Sequence, residues 1–229
     1  MKNILAIAVF VMAAGGAHPL QAANPALWRL TAAPESRLWL SGTSTLHPYS
    51  STSTLTDMSI DLNAAAAVQA TAPDGVLSYI AQRAPFQRFE VVVPVKGLKS
   101  GESGLDKNLV KALKADRAPA IDFLLTQYKA QPAAADGSIP FEATGLLSIA
   151  GVQKEITLTG TAAALAAHLI MDGQYQLRMS DYGIKPPTLL LGVIKVADPV
   201  VIHFHLLFIL SSSEATGSPK HIQTKGALQ

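Results

Sequence analysis

The sequence predicts an all-β fold of about eight antiparallel strands, with one amphipathic helix inserted between two of them. Apolar and polar residues alternate in six segments, which begin near residues 88, 120, 138, 154, 173 and 199. Residues typical of turns separate most of these segments, and one stretch repeats its apolar residues at helical spacing. Many short strands joined by turns are typical of a sandwich or a barrel.

The alternation assigns one face of each strand to the interior, because successive side chains of a strand point to opposite sides. The residues expected to face inward are Phe89, Val91, Val93, Ile121, Phe123, Ile156, Leu158, Tyr175, Leu177, Met179, Ile202 and Phe204. Those expected to be at least partly exposed are Glu90, Asp122, Glu155, Arg178 and His203. A register shifted by one residue would reverse every assignment.

Two further strands are predicted at residues 36–45 and 50–62, the second rich in Ser and Thr. Turns are predicted at residues 72–75, 136–137, 150–151 and 172–173, each of which contains a glycine.

The helix is predicted over residues 103–115, where Leu105, Leu109, Val110 and Leu113 are spaced to share one face. Ser103 and Asp106 resemble a capping box at its start. A second short helix is predicted over residues 76–83.

The composition excludes several classes of protein. The chain has 229 residues, of which 49% are hydrophobic, so it can bury a substantial core. Its 18 basic and 16 acidic residues leave a net charge of +2, which gives no reason to expect nucleic acid as a partner. It contains no cysteine, which excludes disulfides, thiolate metal sites and a cysteine nucleophile.

The first residues have the layout of a secretory signal peptide. Lys2 is followed by an apolar run over residues 4–14 and then by small residues. The run is shorter than the roughly 20 residues that a membrane-spanning helix needs, although an uncleaved anchor is the alternative. We expect a signal peptide over residues 1–23, one domain over residues 24–210, and a flexible polar tail over residues 211–229.

No catalytic motif is recognisable. The sequence lacks a G-x-S-x-G elbow, a phosphate loop and an H-E-x-x-H motif. His203 and His205 share a strand face and could share a metal, but no spacing supplies further ligands, so two solvated histidines are favoured. His47 is interpreted as a loop residue bonded to backbone, with a head-group contact as the alternative, and Asp181 as a turn-forming residue rather than a catalytic one. We therefore expect no metal, no cofactor and no catalytic residue.

Several segments together resemble one known family. They are SGTSTLHPY at residues 41–49, FEVVVPVKGLKSGESGLDKNL at 89–109, ALKADRAPAIDF at 112–123, GLLSIAGVQKEITLTG at 145–160, and DYGIKPPTLLLGVIKVADPVVIHF at 181–204. The chain is similar to the YceI-like family of bacterial periplasmic lipid-binding proteins from about residue 27 to residue 208. The last two segments are the specific ones. Residues 63–83 match poorly and the tail is extra.

The resemblance implies an eight-stranded antiparallel barrel of lipocalin type, with a helix near one end. It also implies a periplasmic location, no catalytic residues, and a polyisoprenoid or related long-chain amphiphile held inside the barrel.

The residues support the same function on physical grounds. An eight-stranded barrel can either fill with side chains or hold one ligand, and the expected inner faces are apolar. The expected partners are a long-chain isoprenoid or fatty amphiphile and, transiently, a membrane surface; a homodimer is left open. The alternatives are a ligand-free structural or stress-related barrel and a hydrolase.

The segment of residues 181–195 is too long for a tight hairpin turn and is apolar in part. It is expected to line one mouth of the barrel, with Tyr182, Ile184 and Leu190 touching the ligand and Lys185 or Lys195 near a polar head group. The equal alternative is that the segment plugs the barrel end as ordinary core.

Overall fold

The computed structural model describes residues 27–54, 58–62, 73–84, 86, 88–165, 167–189 and 193–213. The predicted signal peptide and residues 214–229 of the predicted tail lie outside this part of the chain. Within it, the chain forms eleven strands and two α-helices. The bounds are β1 Leu27–Ala32, β2 Arg37–Ser44, β3 Pro48–Thr54, β4 Ser59–Asp61, α1 Pro73–Arg83, β5 Glu90–Pro94, α2 Ser103–Ala112, β6 Ala120–Ala130, β7 Ile139–Ile149, β8 Val152–Leu165, β9 His168–Arg178, β10 Thr188–Leu189 and β11 Ile194–Ser213. Residues 211–213 thus continue β11 beyond the predicted domain boundary.

The strands form one antiparallel sheet that curls into a barrel, as the sequence predicts. The main path is β3-β2-β11-β9-β8-β7-β6-β5, which contains eight strands. The end strand β3 meets the segment that follows the other end strand, β5, at a single bridge, where Thr52 and Lys99 exchange two backbone hydrogen bonds of 2.8 and 2.9 Å. The seam between β3 and β5 is therefore closed at one point.

β1 and β2 together occupy one strand position in the barrel wall, because the strand is interrupted between them. β1 and β2 lie one after the other along the same edge of β11. At the break, the fully buried Ser36 hydroxyl donates to the Leu207 carbonyl at 2.9 Å and accepts from the Leu207 amide at 3.0 Å. The Ser36 hydroxyl thus gives the Leu207 amide a partner at the break, and the Leu207 carbonyl also accepts from the Ala33 amide at 2.8 Å.

Burial follows the predicted alternation along most strands. On β5, Val91 and Val93 are 9% and 1% exposed, whereas Val92 between them is 50% exposed. Glu155 and Arg178 are exposed and Glu90, Asp122 and His203 are partly exposed, as expected.

Two of the predicted turns are confirmed. Ala150 and Gly151 both have positive φ, 52° and 84°, and join β7 to β8 in a two-residue hairpin. Gly137, with φ 83°, lies in the turn before β7.

The other two turn predictions are wrong. Residues 73–75 form the first turn of α1, where proline is favoured because the first helical amide needs no partner. Asp172 and Gly173 lie inside β9, which begins five residues earlier than predicted.

Helix α1 covers one end of the barrel, which we call the α1 end. It buries Val76, Leu77 and Ile80, and its Ala81 carbonyl accepts a 2.7 Å hydrogen bond from the Tyr128 hydroxyl on β6. The short helix predicted at residues 76–83 is therefore confirmed and begins three residues earlier.

Helix α2 contains no buried residue and ends at Ala112 rather than at residue 115. Lys114, with φ 54°, turns the chain away. The predicted capping box is wrong, because Asp106 accepts hydrogen bonds from the amide and hydroxyl of Ser100 at 2.8 and 2.6 Å. No helix in the described ranges is both long and apolar enough to span a membrane.

Candidate functional site

The barrel encloses an apolar cavity. About 110 Å³ of it is open to the centre of a water molecule, and the space between its walls reaches about 1000 Å³ when crevices and open solvent are included. Among the described residues, the lining carries no charged side chain and consists of Leu38, Leu40, Phe86, Phe89, Val91, Val93, Leu98, Ile121, Phe123, Leu125, Tyr128, Phe141, Ala143, Leu147, Ile156, Leu158, Met171, Tyr175, Ile202, Phe204 and Leu206.

Ten of the fifteen predicted ligand-binding residues lie around this cavity. They are Phe89, Val91, Val93, Ile121, Phe123, Ile156, Leu158, Tyr175, Ile202 and Phe204. Leu177, Met179, Tyr182 and Ile184 are buried in the core but do not line the cavity. Leu190 lies outside the described residues. In the described part of the segment 181–195, Tyr182 and Ile184 therefore lie in the core at the barrel end, whereas Lys185, Val193 and Lys195 are exposed.

One lining residue, Tyr128, was missed because its strand changes parity. A bulge in β6 between Leu125 and Gln127 shifts the register with β7. Before the bulge the odd-numbered residues face inward, and after it Tyr128 does. A bulge inserts one residue and so reverses the alternation, which a period-two pattern cannot reveal in advance.

Glycines make room for aromatic rings inside the barrel. Gly160 on β8 lies opposite Phe141 on β7, and Gly173 on β9 lies opposite Phe204 on β11. The two glycines also face each other. A Cβ added to Gly160 would lie 2.7 Å from the Phe141 ring. The rings of Phe141 and Phe204 occupy the space that side chains at Gly160 and Gly173 would fill, so both rings border the cavity beside these two glycines.

A second, polar hollow lies on the outer surface between β8 and β9, and we call it the β8–β9 hollow. Its volume open to the centre of a water molecule is about 320 Å³. Its walls are Lys154, Glu155, Ile156, Tyr175, Gln176, Leu177, Arg178, Asp181 and Tyr182. Burial raises the pKa of the Tyr182 phenol to about 12, with smaller contributions from Tyr175 and Asp181. The hydroxyl therefore stays protonated at neutral pH.

The matched family agrees with this architecture. The model of the YceI-like domain matches residues 42–208 of the chain. The protein belongs to the YceI-like family. In solved structures, its fold is similar to that of BcnA from Burkholderia cenocepacia, with a TM-score of 0.54 and 17% identity over 76% of this chain and 96% of that one. It is also similar to a polyisoprenoid-binding domain from Saccharophagus degradans, with a TM-score of 0.53 and 13% identity over 81% of this chain and 99% of that one. No curated protein matches the chain in sequence.

The histidines of this YceI-like barrel face away from its cavity. His203 stacks on Trp39, with ring centroids 4.9 Å apart, and its Nε2 lies 3.0 Å from the Ser41 hydroxyl. His205 Nδ1 lies 2.6 Å from an Asp172 carboxylate oxygen. The two histidines are thus paired rather than freely solvated, and both lie on the outer face because they alternate with cavity-lining residues.

The other candidate polar groups also have structural positions. His47 Nδ1 lies 2.7 Å from the Pro48 carbonyl, as expected of a loop residue. Asp181 is 3.8 Å from Lys154, and the carboxylate that accepts from the Ser180 amide and hydroxyl is that of Asp198, at 2.8 and 2.7 Å. The Ser180 bonds hold the pKa of Asp198 below its usual value. Within the described ranges, no group of three or more His, Asp or Glu side chains could hold a metal ion.

Proposed function

We propose that this YceI-like protein binds one long-chain apolar lipid, such as a polyisoprenoid, inside the barrel and carries it without changing it chemically. The observation that supports this proposal is the cavity inside the barrel, whose lining is uncharged and almost wholly apolar. Such a lining offers a polar metabolite no hydrogen-bonding partner along most of its length. The similarity of fold to a domain described as polyisoprenoid-binding points the same way.

The small open volume of the cavity, about 110 Å³, favours a single chain over a bulky ring system. Each methylene moved from water into the cavity contributes about 0.8 kcal/mol, so a twenty-carbon chain gains on the order of 16 kcal/mol before ordering costs. Relative to a bilayer the gain is near zero, because lipid is as apolar as the barrel. A protein of this kind is suited to exchanging its ligand with membranes.

We also propose that the protein acts in the periplasm and touches membrane surfaces there. The layout of residues 1–23 supports export. A surface contact is supported by two exposed apolar side chains, Leu46 and Val193, which are 65% and 73% exposed. Their turns are joined by hydrogen bonds of 3.1 Å between the Thr45 hydroxyl and the backbone of Val193 and Lys195. We call Leu46 and Val193 the apolar tip.

The location is tested by N-terminal sequencing of the protein from fractionated cells. A mature terminus near Ala23 in the envelope fraction is expected. An intact Met1 in the cytosolic fraction would contradict export.

Native mass spectrometry tests lipid binding directly. The purified protein is stripped of lipid, mixed with geranylgeraniol, a twenty-carbon isoprenoid alcohol, and examined for a one-to-one complex. Leu158→Asp places a charge in the cavity and should abolish the complex, because an ion there has neither water nor a counter-ion. Gln127→Asp, at an exposed position on β6, should bind like the wild type.

Circular dichroism establishes that both variants are folded. Failure of the folded wild-type protein to bind geranylgeraniol or a long-chain fatty acid would refute the proposed function. Full affinity in a folded Leu158→Asp variant would place the ligand elsewhere.

A further inference from the structure

The wall of the barrel is open between β8 and β9 over part of their length. β8 pairs with β7 from Ala162 down to Val152. It pairs with β9 only from Thr159 and Gln174 toward the α1 end. Beyond that pair, residues 175–178 of β9 remain paired with β11 and residues 152–158 of β8 with β7. The two strands therefore diverge over about four residue steps, roughly 14 Å of strand.

This gap lies between the apolar cavity and the β8–β9 hollow. Ile156 and Tyr175, which stand on opposite sides of the gap, line both the cavity and the hollow. The surroundings change from apolar on the inside to polar on the outside, where Lys154, Arg178 and Asp181 form the walls. An amphiphile with its chain inside and its polar head outside would meet matching surroundings at both ends.

The outer end of the gap is held by weak contacts. Lys154 of β8 lies 3.8 Å from Asp181, which follows β9, and 5.8 Å from the centre of the Tyr182 ring. The Lys154 and Asp181 side chains are 44% and 51% exposed, and an exposed pair at this distance contributes little stability.

Two other routes run through described residues. At the α1 end, an exit would expose Leu77 and Ile80, which are 1% and 0% exposed, and break the hydrogen bond from Tyr128 to Ala81. At the seam between β3 and β5, an exit at the bridge would break the two hydrogen bonds between Thr52 and Lys99. The gap differs from both because an exposed ion pair holds its outer end.

We infer that the lipid enters and leaves through the gap between β8 and β9, and that its polar head lies in the β8–β9 hollow when the chain is bound. This inference rests on the proposed lipid-binding function. The hollow has two basic residues, Lys154 and Arg178, and two acidic ones, Glu155 and Asp181. Because these charges balance, an uncharged alcohol is a suitable probe.

Photo-crosslinking locates the head group in the wild-type protein. Geranylgeraniol carrying a diazirine at its alcohol end is bound and irradiated, and the labelled peptides are identified by mass spectrometry. We expect labels within residues 154–158 and 175–182. Labels concentrated in residues 76–89 or 95–99 would overturn the inference in favour of the α1 end or the seam.

A disulfide across the gap tests the route. The chain has no native cysteine, so the chain of the double variant Thr157→Cys with Gln176→Cys contains only these two cysteines. They stand at the next outward-facing positions beyond the last paired residues of β8 and β9. Thr159→Cys with Gln174→Cys is the matched control, because these residues are already paired. Each variant is loaded with geranylgeraniol while reduced, then oxidised, and release to phosphatidylcholine vesicles is followed.

Oxidation should slow release at least tenfold in the 157/176 variant, reductant should restore it, and the control should not change. Equal release before and after oxidation of the 157/176 variant would refute the route. If its disulfide does not form, the crosslinking pattern decides. Absence of loading in the reduced variants and the wild type would instead refute the proposed function, so the two failures are distinguishable.

Discussion

Filling the cavity with a larger apolar side chain should leave the protein stable and prevent it from binding lipid. Ala143 on β7 lines the cavity, between Tyr128 on β6 and Leu158 on β8. Ala143→Phe would extend a ring into the open space. Ala162 on β8 also faces inward and is fully buried, but it does not line the cavity. Ala162→Phe is therefore the matched control in a packed part of the same barrel.

The structure sets the direction and size of both effects. About 110 Å³ is open to the centre of a water molecule, several times the 10–15 Å³ or so that one water needs. Burying the new ring at position 143 adds at most about 1.5–3 kcal/mol to the free energy of unfolding, and the rotamer freedom that the ring loses on folding reduces this gain. At Ala162 the ring has no space, and overpacking costs roughly 1–3 kcal/mol. At about 2–4 °C per kcal/mol, Tm should stay level or rise for Ala143→Phe and fall by roughly 2–12 °C for Ala162→Phe.

Thermal unfolding of the lipid-free proteins and titration with geranylgeraniol provide the two measurements. Ala143→Phe should unfold no earlier than the wild type and lose most of its affinity. A barrel filled by its own side chains would instead make both variants equally unstable. That result, or undiminished binding by Ala143→Phe, would refute the interpretation of the interior as a lipid site.

Three other predictions concern the surface, the wall and the tyrosines. Replacing both Leu46 and Val193 by Asp should slow lipid transfer to vesicles without lowering the affinity for lipid. Leu165→Asp, which changes a similarly exposed residue near the α1 end, should leave the transfer rate unchanged. Equal slowing by both variants would contradict a role for the apolar tip. Gly160→Ala should lower the free energy of unfolding by roughly 1–3 kcal/mol in denaturant titrations, because the new methyl group collides with the Asp172 carbonyl and the Phe141 ring. An unchanged denaturation midpoint would contradict that packing. The pKa of Tyr182 is raised by burial, so the contribution of Tyr182 to stability is complete below pH 10 and is lost as the pH rises toward 12. Absorbance at 295 nm should therefore show ionisation of the phenol together with unfolding. Ionisation of all tyrosines near pH 10 in the folded protein would contradict this prediction.

The parts of the fold that depend on local pattern could be predicted from the sequence. The alternation in residues 88–95 places Val91 and Val93 inside because a strand has only two faces. The helical spacing in residues 103–113 identifies α2 although α2 has no buried residue, since periodicity reports a face rather than a depth. Ten cavity-lining residues follow from alternation alone.

The rest depends on contacts between distant segments. Asp172 and Gly173 have the composition of a turn, but Gly173 lies inside a strand because the Phe204 ring needs the space that its missing side chain leaves. The bulge after Leu125 turns Tyr128 inward without any local signal. Lys154 and Arg178 were not recognised as candidates for a head-group site, because nothing in β8 or β9 reveals where their pairing ends.

The position of the gap bears on how the proposed carrier delivers its ligand, given that the interior of the barrel is no more apolar than a membrane. The chain of a lipid gains almost nothing by moving from a bilayer into an apolar barrel, so contacts at the head and the ease of transfer determine its distribution. Leu46, in the turn between β2 and β3, and the gap between β8 and β9 both lie at the end opposite α1. A membrane that receives the apolar tip therefore lies next to the hollow. The chain could then pass from barrel to bilayer with little exposure to water, which removes the cost of about 0.8 kcal/mol for each methylene that crosses in solution.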